Sequence, residues 1–184
     1  MGQAAGEGRR GMDAGGGSTN PRGAISRAPA RTKILNPITT ALMRLGVRPD
    51  PRMALLTIRG RKSGRDRTVP IGVFDQNGRR YVVAAFGEVN WVLNLRAAGE
   101  ATITQGRRTG RYAAEQVQGE EAALVLRQCL AAFLPSPLAG PMLRQRIAVT
   151  ADASLEALAI EARRTPVFRL TEMRDRARAQ GGAR

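Results

Sequence analysis

The chain has 184 residues and a formal charge of +15 from 30 Lys+Arg against 15 Asp+Glu, with a single cysteine and no histidine. This length suits one domain with a core that folds without staples. The single Cys129 excludes an internal disulfide or a cysteine metal cluster, and the lack of histidine removes Ser-His-Asp and Cys-His catalysis and the commonest metal ligand. No metal site is expected, and whatever chemistry occurs must run on carboxylates, Arg/Lys, hydroxyls, backbone groups or a bound cofactor.

No apolar run approaches the ~18 residues of a membrane span. The basic excess points to an anionic partner: nucleic acid, an acidic membrane surface or a polyanionic small molecule. With 4% aromatic residues in a 42% hydrophobic chain, the core is expected to be Leu, Val, Ile and Ala.

Residues 1–31 are rich in Gly, Ala, Ser and Arg without apolar period, so they are expected to form a disordered tail. They contain no h-region of a secretory signal. Residues 32–173 are expected to form the folded domain, and the polar residues 174–184 a frayed tail. The first predicted helix runs from Asn36 to Gly46, with Asn at its N-cap, Pro37 at its first position and Gly just past its end. Ile38, Leu42 and Leu45 share one face, which packs on the domain or, with Lys33, Arg44 and Arg48 flanking it, touches a membrane.

Beyond Pro51 the pattern becomes short strands: Met53–Arg59, Arg67–Phe74, Arg79–Ala85, Glu100–Gln105 and Gly110–Gln118. Asn77-Gly78 is a hairpin turn with positive φ, and Gly106–Gly110 marks another. Pro70 must sit at an edge or bulge, where no ladder donor is needed. Between strands, a two-turn helix from Asn90 to Ala98 is capped by Asn90, closed by Gly99 and carries the only tryptophan. A longer helix, Glu120–Phe133, has acids in its first turn and breaks at Pro135-Ser136-Pro137 and Gly140-Pro141. A last helix, about Ala153–Arg163, precedes a closing strand, Pro166–Leu170. The fold class is α+β, mainly β: a six-stranded antiparallel barrel, closed or split, with short flanking helices.

The turn Gly60–Arg67 holds Arg61, Lys62, Arg65 and Arg67 against one acid, Asp66. Two glycines let its backbone fold tightly and expose N–H groups, which together with guanidinium forks suit a phosphate or carboxylate. The spacing is not that of a Walker motif, and taken alone such a turn is most often a solvated hairpin tip.

Leu55-Leu56-Thr57, Gly60-Arg61-Lys62-Ser63-Gly64, Arg67, Pro70, Val82-Val83-Ala84-Ala85 and Trp91 with Asn94-Leu95-Arg96 follow one another at a specific spacing. This ordered set, over residues 53–118, resembles the deazaflavin-dependent nitroreductase family of actinobacterial oxidoreductases. The resemblance implies a split β-barrel, related to FMN-binding flavin reductases, that binds coenzyme F420, with FMN ranked behind it. F420 carries a phosphodiester and a polyglutamate tail. By similarity, Arg61, Lys62, Ser63 and Arg67 would hold phosphate and tail, and Thr68, Val69 and Pro70 would line the wall beside them. Ala84, Ala85, Phe86 and Gly87 would run past the deazaflavin ring, with Trp91 and Asn94 close to it.

The implied function is an F420-dependent oxidoreductase acting on a quinone-like or other electron-poor hydrophobic acceptor. The proton source stays open between solvent, Tyr112 and an Arg-bound water, and no catalytic residue is assigned. Plainer roles stand beside these. Trp91 can be a core anchor, Asn94 can serve local backbone groups, and Ala84 and Ala85 can reflect tight packing.

Against the family pattern, the loop Phe86–Asn90 is short and Gly72 replaces an aromatic residue. A second reading is a non-catalytic cofactor- or fatty-acid-binding barrel at a membrane surface. Nucleic acid ranks last, because aromatic residues do not interleave with the basic runs and no Arg-rich recognition helix is present. The expected protein is cytoplasmic or peripheral at the inner membrane face, and a monomer or homodimer.

Overall fold

Alternate residues of Met53–Arg59 (β1) face opposite ways, as the pleat requires: Ala54, Leu56 and Ile58 are buried in one cluster, and Thr57 points away. The same alternation runs through Asp66–Gln76 (β2), Arg79–Val83 (β3), Glu100–Gln105 (β4), Arg108–Val117 (β5) and Val167–Glu172 (β6). Ile71, Val82, Ile103, Phe168 and Leu170 fill the same interior as the β1 residues. The computed structural model describes residues 50–137 and 139–173, so the expected tails and the helix at 36–46 lie outside the described residues.

The six strands form a closed antiparallel barrel in the order β1-β2-β3-β6-β5-β4, with β4 paired back onto β1. The expected six-stranded barrel is therefore present. Pro70 lies opposite Leu55 of β1, in a part of β2 that has no β3 partner, since that pairing begins at Val73. No ladder donor is needed there, as its sequence position required. Asn77 and Gly78 both have positive φ (51° and 72°) and close the β2–β3 hairpin.

Among the described residues four helices accompany the barrel: Asn90–Ala98 (α1), Gly119–Phe133 (α2), Gly140–Arg144 (α3) and Leu155–Ala162 (α4). On α2, Ala122, Val125, Leu126, Cys129 and Leu130 form the apolar stripe of an amphipathic helix. With Leu158 of α4 it covers Phe74, Tyr81, Val83, Val117 and Val167 on the barrel's outer face, making a second core. Phe133 crosses Phe74 edge-on at 5.9 Å and lies over Gly72, where an added Cβ would stand 3.0 Å from its ring. Glu121 fastens this layer polarly, accepting from the Tyr81 hydroxyl at 2.7 Å and from Arg169 at 3.1 Å. Burial first, then this carboxylate, holds the Tyr81 phenol above its ordinary pKa.

Several boundaries differ from the sequence expectation. Asn90 does not cap α1. The cap is Val89, whose side chain has no acceptor; Asn90 is the first helical residue, and its amide oxygen accepts from Arg61 at 3.5 Å. The third strand ends at Val83 rather than Ala85: the Ala84 N–H still reaches the Pro166 carbonyl at 2.8 Å, in register with Val83 and Val167, but Pro166 has no N–H to return, and the chain turns with the Gly87 N–H on the Ala84 carbonyl at 2.8 Å. Gly140-Pro141 does not interrupt structure but starts α3, with Pro141 where a helix needs no N–H donor. Ser154 caps α4, accepting from the Ala157 N–H at 3.2 Å.

The registers sort the loops between two mouths. The β2–β3 and β4–β5 hairpins meet at one end, and the turn 60–65, the segment 84–89 and α1 meet at the other. Val89, Val92 and Leu95 belong to the barrel interior, so α1 plugs this second mouth.

Candidate functional site

The plugged mouth carries the basic turn. Gly60 N–H donates to the Arg65 carbonyl at 2.9 Å, and Gly64 N–H to the Gly60 carbonyl at 2.8 Å. A Cβ at Gly60 would stand 2.9 Å from the Arg65 oxygen, and Gly64 has φ +65°. Both glycines are thus demanded by the fold of the turn, one by space and one by conformation. Ser63 Oγ braces it by accepting from the Arg65 N–H at 3.4 Å.

Arg61, Lys62, Arg65 and Arg67 are all exposed. Among the described residues none of the four forms an ion pair with an acid, whereas Arg52, Arg79, Arg80, Arg96, Arg111 and Arg169 all do. The Lys62 and Ser63 N–H groups also have no acceptor within the described residues. Consecutive free N–H groups beside uncompensated cations make an anion-binding concavity. Arg67 is paired with Ile58, an interior residue, so its side chain leaves on the mouth side of the barrel.

Arg61 differs from its neighbours in that its donors are engaged. Its backbone N–H and its Nη1 donate to Asn94 Oδ1, at 3.3 and 2.8 Å. Nη1 also reaches the Asn90 carbonyl at 3.4 Å. Asn94 is 7% exposed. The structure therefore brings Arg61 and Asn94 together, across 33 residues of sequence, and ties the turn to α1.

Thr68, Val69 and Pro70 are half-buried in the strand leaving the turn. Val69 packs on the interior cluster, while Thr68 faces outward and shares a 2.9 Å hydroxyl bond with Thr57. These two neighbours thus line opposite faces of β2. Ala84 is a buried interior residue, and Ala85 packs toward the helices, which is tight packing. Phe86 and Trp91 are half-buried on the interior cluster, and the Trp91 ring lies 6.1 Å from Phe168 at 52°. Gly87 takes φ +75°, and Glu88 is held by Arg96, which also donates to Gln116 at 2.7 Å. The short loop is therefore anchored at both ends. Half-buried aromatic residues thus occupy the same mouth as the cations that have no acid partner among the described residues.

Sequence reasoning passed over the opposite mouth, where a cavity of about 920 Å³ is lined by Arg80, Arg108, Tyr112, Glu115 and Arg169 among others. It contains none of the expected cofactor-binding residues, but it does contain Tyr112, the side chain considered as a proton source, whose hydroxyl accepts from Arg80 at 3.2 Å at the end of the barrel away from the basic turn. Its charges are largely spent on one another, Arg80 on Asp75 and Arg169 on Glu115. A polyanion gains less there than at the uncompensated turn. Among the described residues no cluster of acids or Cys could hold a metal ion, and no helix is long and apolar enough to cross a membrane.

The basic turn and the half-buried aromatic residues thus share one mouth of a closed barrel. Residues 39–136 match the F420H2-dependent quinone reductase family, and the chain belongs to it. Among curated proteins there is no match. Solved structures with partial similarity include an F420-H2-dependent reductase, FDR-A, at 23% identity over 68% of this chain and 100% of that one (TM-score 0.48). A protein solved as a domain-swapped dimer matches at 21% identity over 77% and 100% (TM-score 0.48). The heme storage protein HutZ of Vibrio cholerae matches at 12% over 76% and 90% (TM-score 0.44).

Proposed function

We propose that this protein is an F420-dependent reductase of a quinone-like, electron-poor hydrophobic acceptor. The observation that carries the reading is the group of cations without an acid partner among the described residues, at the mouth plugged by the helix that carries Trp91, in a member of this family. When bound, reduced F420 supplies the hydride, so the protein's task is to bind, orient and keep water away. Lys62 and Arg67, with Arg65, offer charge to the phosphodiester and glutamate tail. Each exposed pair contributes on the order of 0.2–1 kcal/mol, so several are needed. The free Lys62 and Ser63 N–H groups add donors to the same anion. Val69 and Pro70 wall the approach. The backbone at Ala85–Gly87, with Phe86 and Trp91, offers apolar surface for the ring and for a flat acceptor.

The experiment is a titration of the purified protein with F420, followed by cofactor fluorescence and by quenching of Trp91, the only tryptophan. Micromolar binding is expected, followed by reoxidation of bound reduced cofactor on addition of menadione. Absence of binding at micromolar cofactor would overturn the reading. Binding without reoxidation would favour the non-catalytic alternative, whose membrane-facing helix at 36–46 lies outside the described residues.

A further inference from the structure

We infer that Asn94 is a positioning residue for the anion grip: it acts through Arg61, which serves as a strut between α1 and the turn rather than as a ligand of the anion. The inference rests on the F420 reading above and assigns a division of labour within that site. An arginine has five N–H donors. Here two from Nη1 and one from Nη2 go to Asn94 Oδ1, the Asn90 carbonyl and Asn90 Oδ1, at 2.8, 3.4 and 3.5 Å. The Arg61 backbone N–H points to the same Asn94 oxygen at 3.3 Å. One acceptor atom thus fixes both the backbone and the side chain of the residue that opens the turn. An arginine held by both ends has little of its fork left for a ligand, whereas Lys62, Arg65 and Arg67 are free of acids among the described residues.

The geometry of α1 explains why the post stands there. Asn90 and Asn94 are one turn apart and meet the basic turn on one side of the helix, while Val92 and Leu95 on another side are locked into the barrel. The post is therefore as rigid as the core. An acceptor held this way sets where the next three cations stand relative to Trp91, which rides on the same helix. An exposed turn without it would sample many arrangements, and cations averaged over them hold a multivalent anion less well.

The test compares Asn94→Ala with Asn94→Asp, and adds Arg61→Met, an exposed substitution that spares the core. The ligands are F420 and the deazaflavin core that lacks the phosphodiester and glutamates. Asn94→Ala and Arg61→Met are expected to weaken F420 roughly tenfold or more, to leave the core compound within about twofold, and to flatten the salt dependence of F420 binding. Asn94→Asp keeps the acceptor and is expected to stay within about threefold of wild type, because its added charge is spent on Arg61.

In the cofactor-free protein, hydrogen exchange of the 60–65 amides is expected to speed up in Asn94→Ala and to recover in Asn94→Asp. Two results would overturn the inference. One is Asn94→Asp binding F420 as weakly as Asn94→Ala, which would mean that the anion touches Asn94 itself. The other is unchanged turn exchange in Asn94→Ala. Failure of the wild type to bind F420 would remove the F420 reading, while the exchange result would still decide the strut.

Discussion

Replacing Gly64 with alanine isolates backbone strain in the basic turn from every other effect. At φ +65°, the nearest atoms to an added Cβ are the Arg59 guanidinium nitrogens, at 3.7 and 3.8 Å. That is ordinary contact, so no steric term enters. What remains is the left-handed conformation, which costs an L-residue roughly 1–2 kcal/mol. For a fold spanning residues 50–173, the unfolding entropy is about 0.25 kcal/mol per kelvin, so the melting temperature should fall by about 4–8 °C. Asparagine visits this conformation more readily, and Gly64→Asn should recover much of the loss. Differential scanning fluorimetry with urea melts on the three proteins measures this directly. A shift below about 1 °C for Gly64→Ala, or an asparagine as costly as alanine, would refute the assignment of Gly64 to a conformational role.

Two further outcomes follow from the packing. Burial pushes the Cys129 thiol up to about 12, from an ordinary 9.0. The folded value exceeds the unfolded one, so this contribution to stability is complete below the unfolded value and is lost as pH rises toward 12. Raising pH from about 7.5 to 10.5 should therefore cost roughly 2 kcal/mol through this group. Cys129→Ala in urea melts should show a correspondingly flatter pH dependence, and an equal slope in both proteins would count against a thiol sealed in the core. Gly140→Ala would place a Cβ 2.3 Å from the Leu134 carbonyl, so backbone must move. A loss of roughly 1–3 kcal/mol is expected in chemical denaturation, with F420 affinity unchanged because α3 is remote from the turn.

Strand content was legible where polarity and period agreed. β1 and β4 begin and end as their alternation predicts, because both contribute alternate residues to one interior. β2 and β5 extend further than their apolar runs. Asp75 and Gln76 continue the ladder opposite Arg80 and Arg79, and Arg108 opposite Gln105, pairings that involve backbone and cross-strand charge rather than burial. The place of β6 between β3 and β5 leaves no trace in local pattern, since register is a property of two distant segments. The same reason hides the Arg61–Asn94 bond. The sequence singled out both residues as candidate cofactor contacts, with a local backbone role as the alternative for Asn94, and only the fold brings one against the other. Asn90 read as a cap because of its type and place, but the helix starts one residue earlier than that reading, with Val89 as its cap, and the Asn90 oxygen faces the Arg61 guanidinium.

Closure of the barrel has a consequence for how the chain meets its own kind. Every strand has a neighbour on both sides over part of its length, so little bare edge is offered to a second chain: residues 66–72 of β2 pair with β1 but not β3, and Pro70 interrupts the donors of that stretch. The ring nevertheless has a narrow weld. β1 meets β4 through three residue pairs only, Leu55–Thr104 to Thr57–Thr102, while β1 meets β2 through seven. The pairing most distant in sequence lies elsewhere: Val83 meets Val167 across 84 residues, against 47 for Leu56 and Ile103, and contacts of that range come late and slowly in folding. Until β6 docks between β3 and β5, the edges of both strands stand open, and the nascent chain is at its most vulnerable just before the ring is complete.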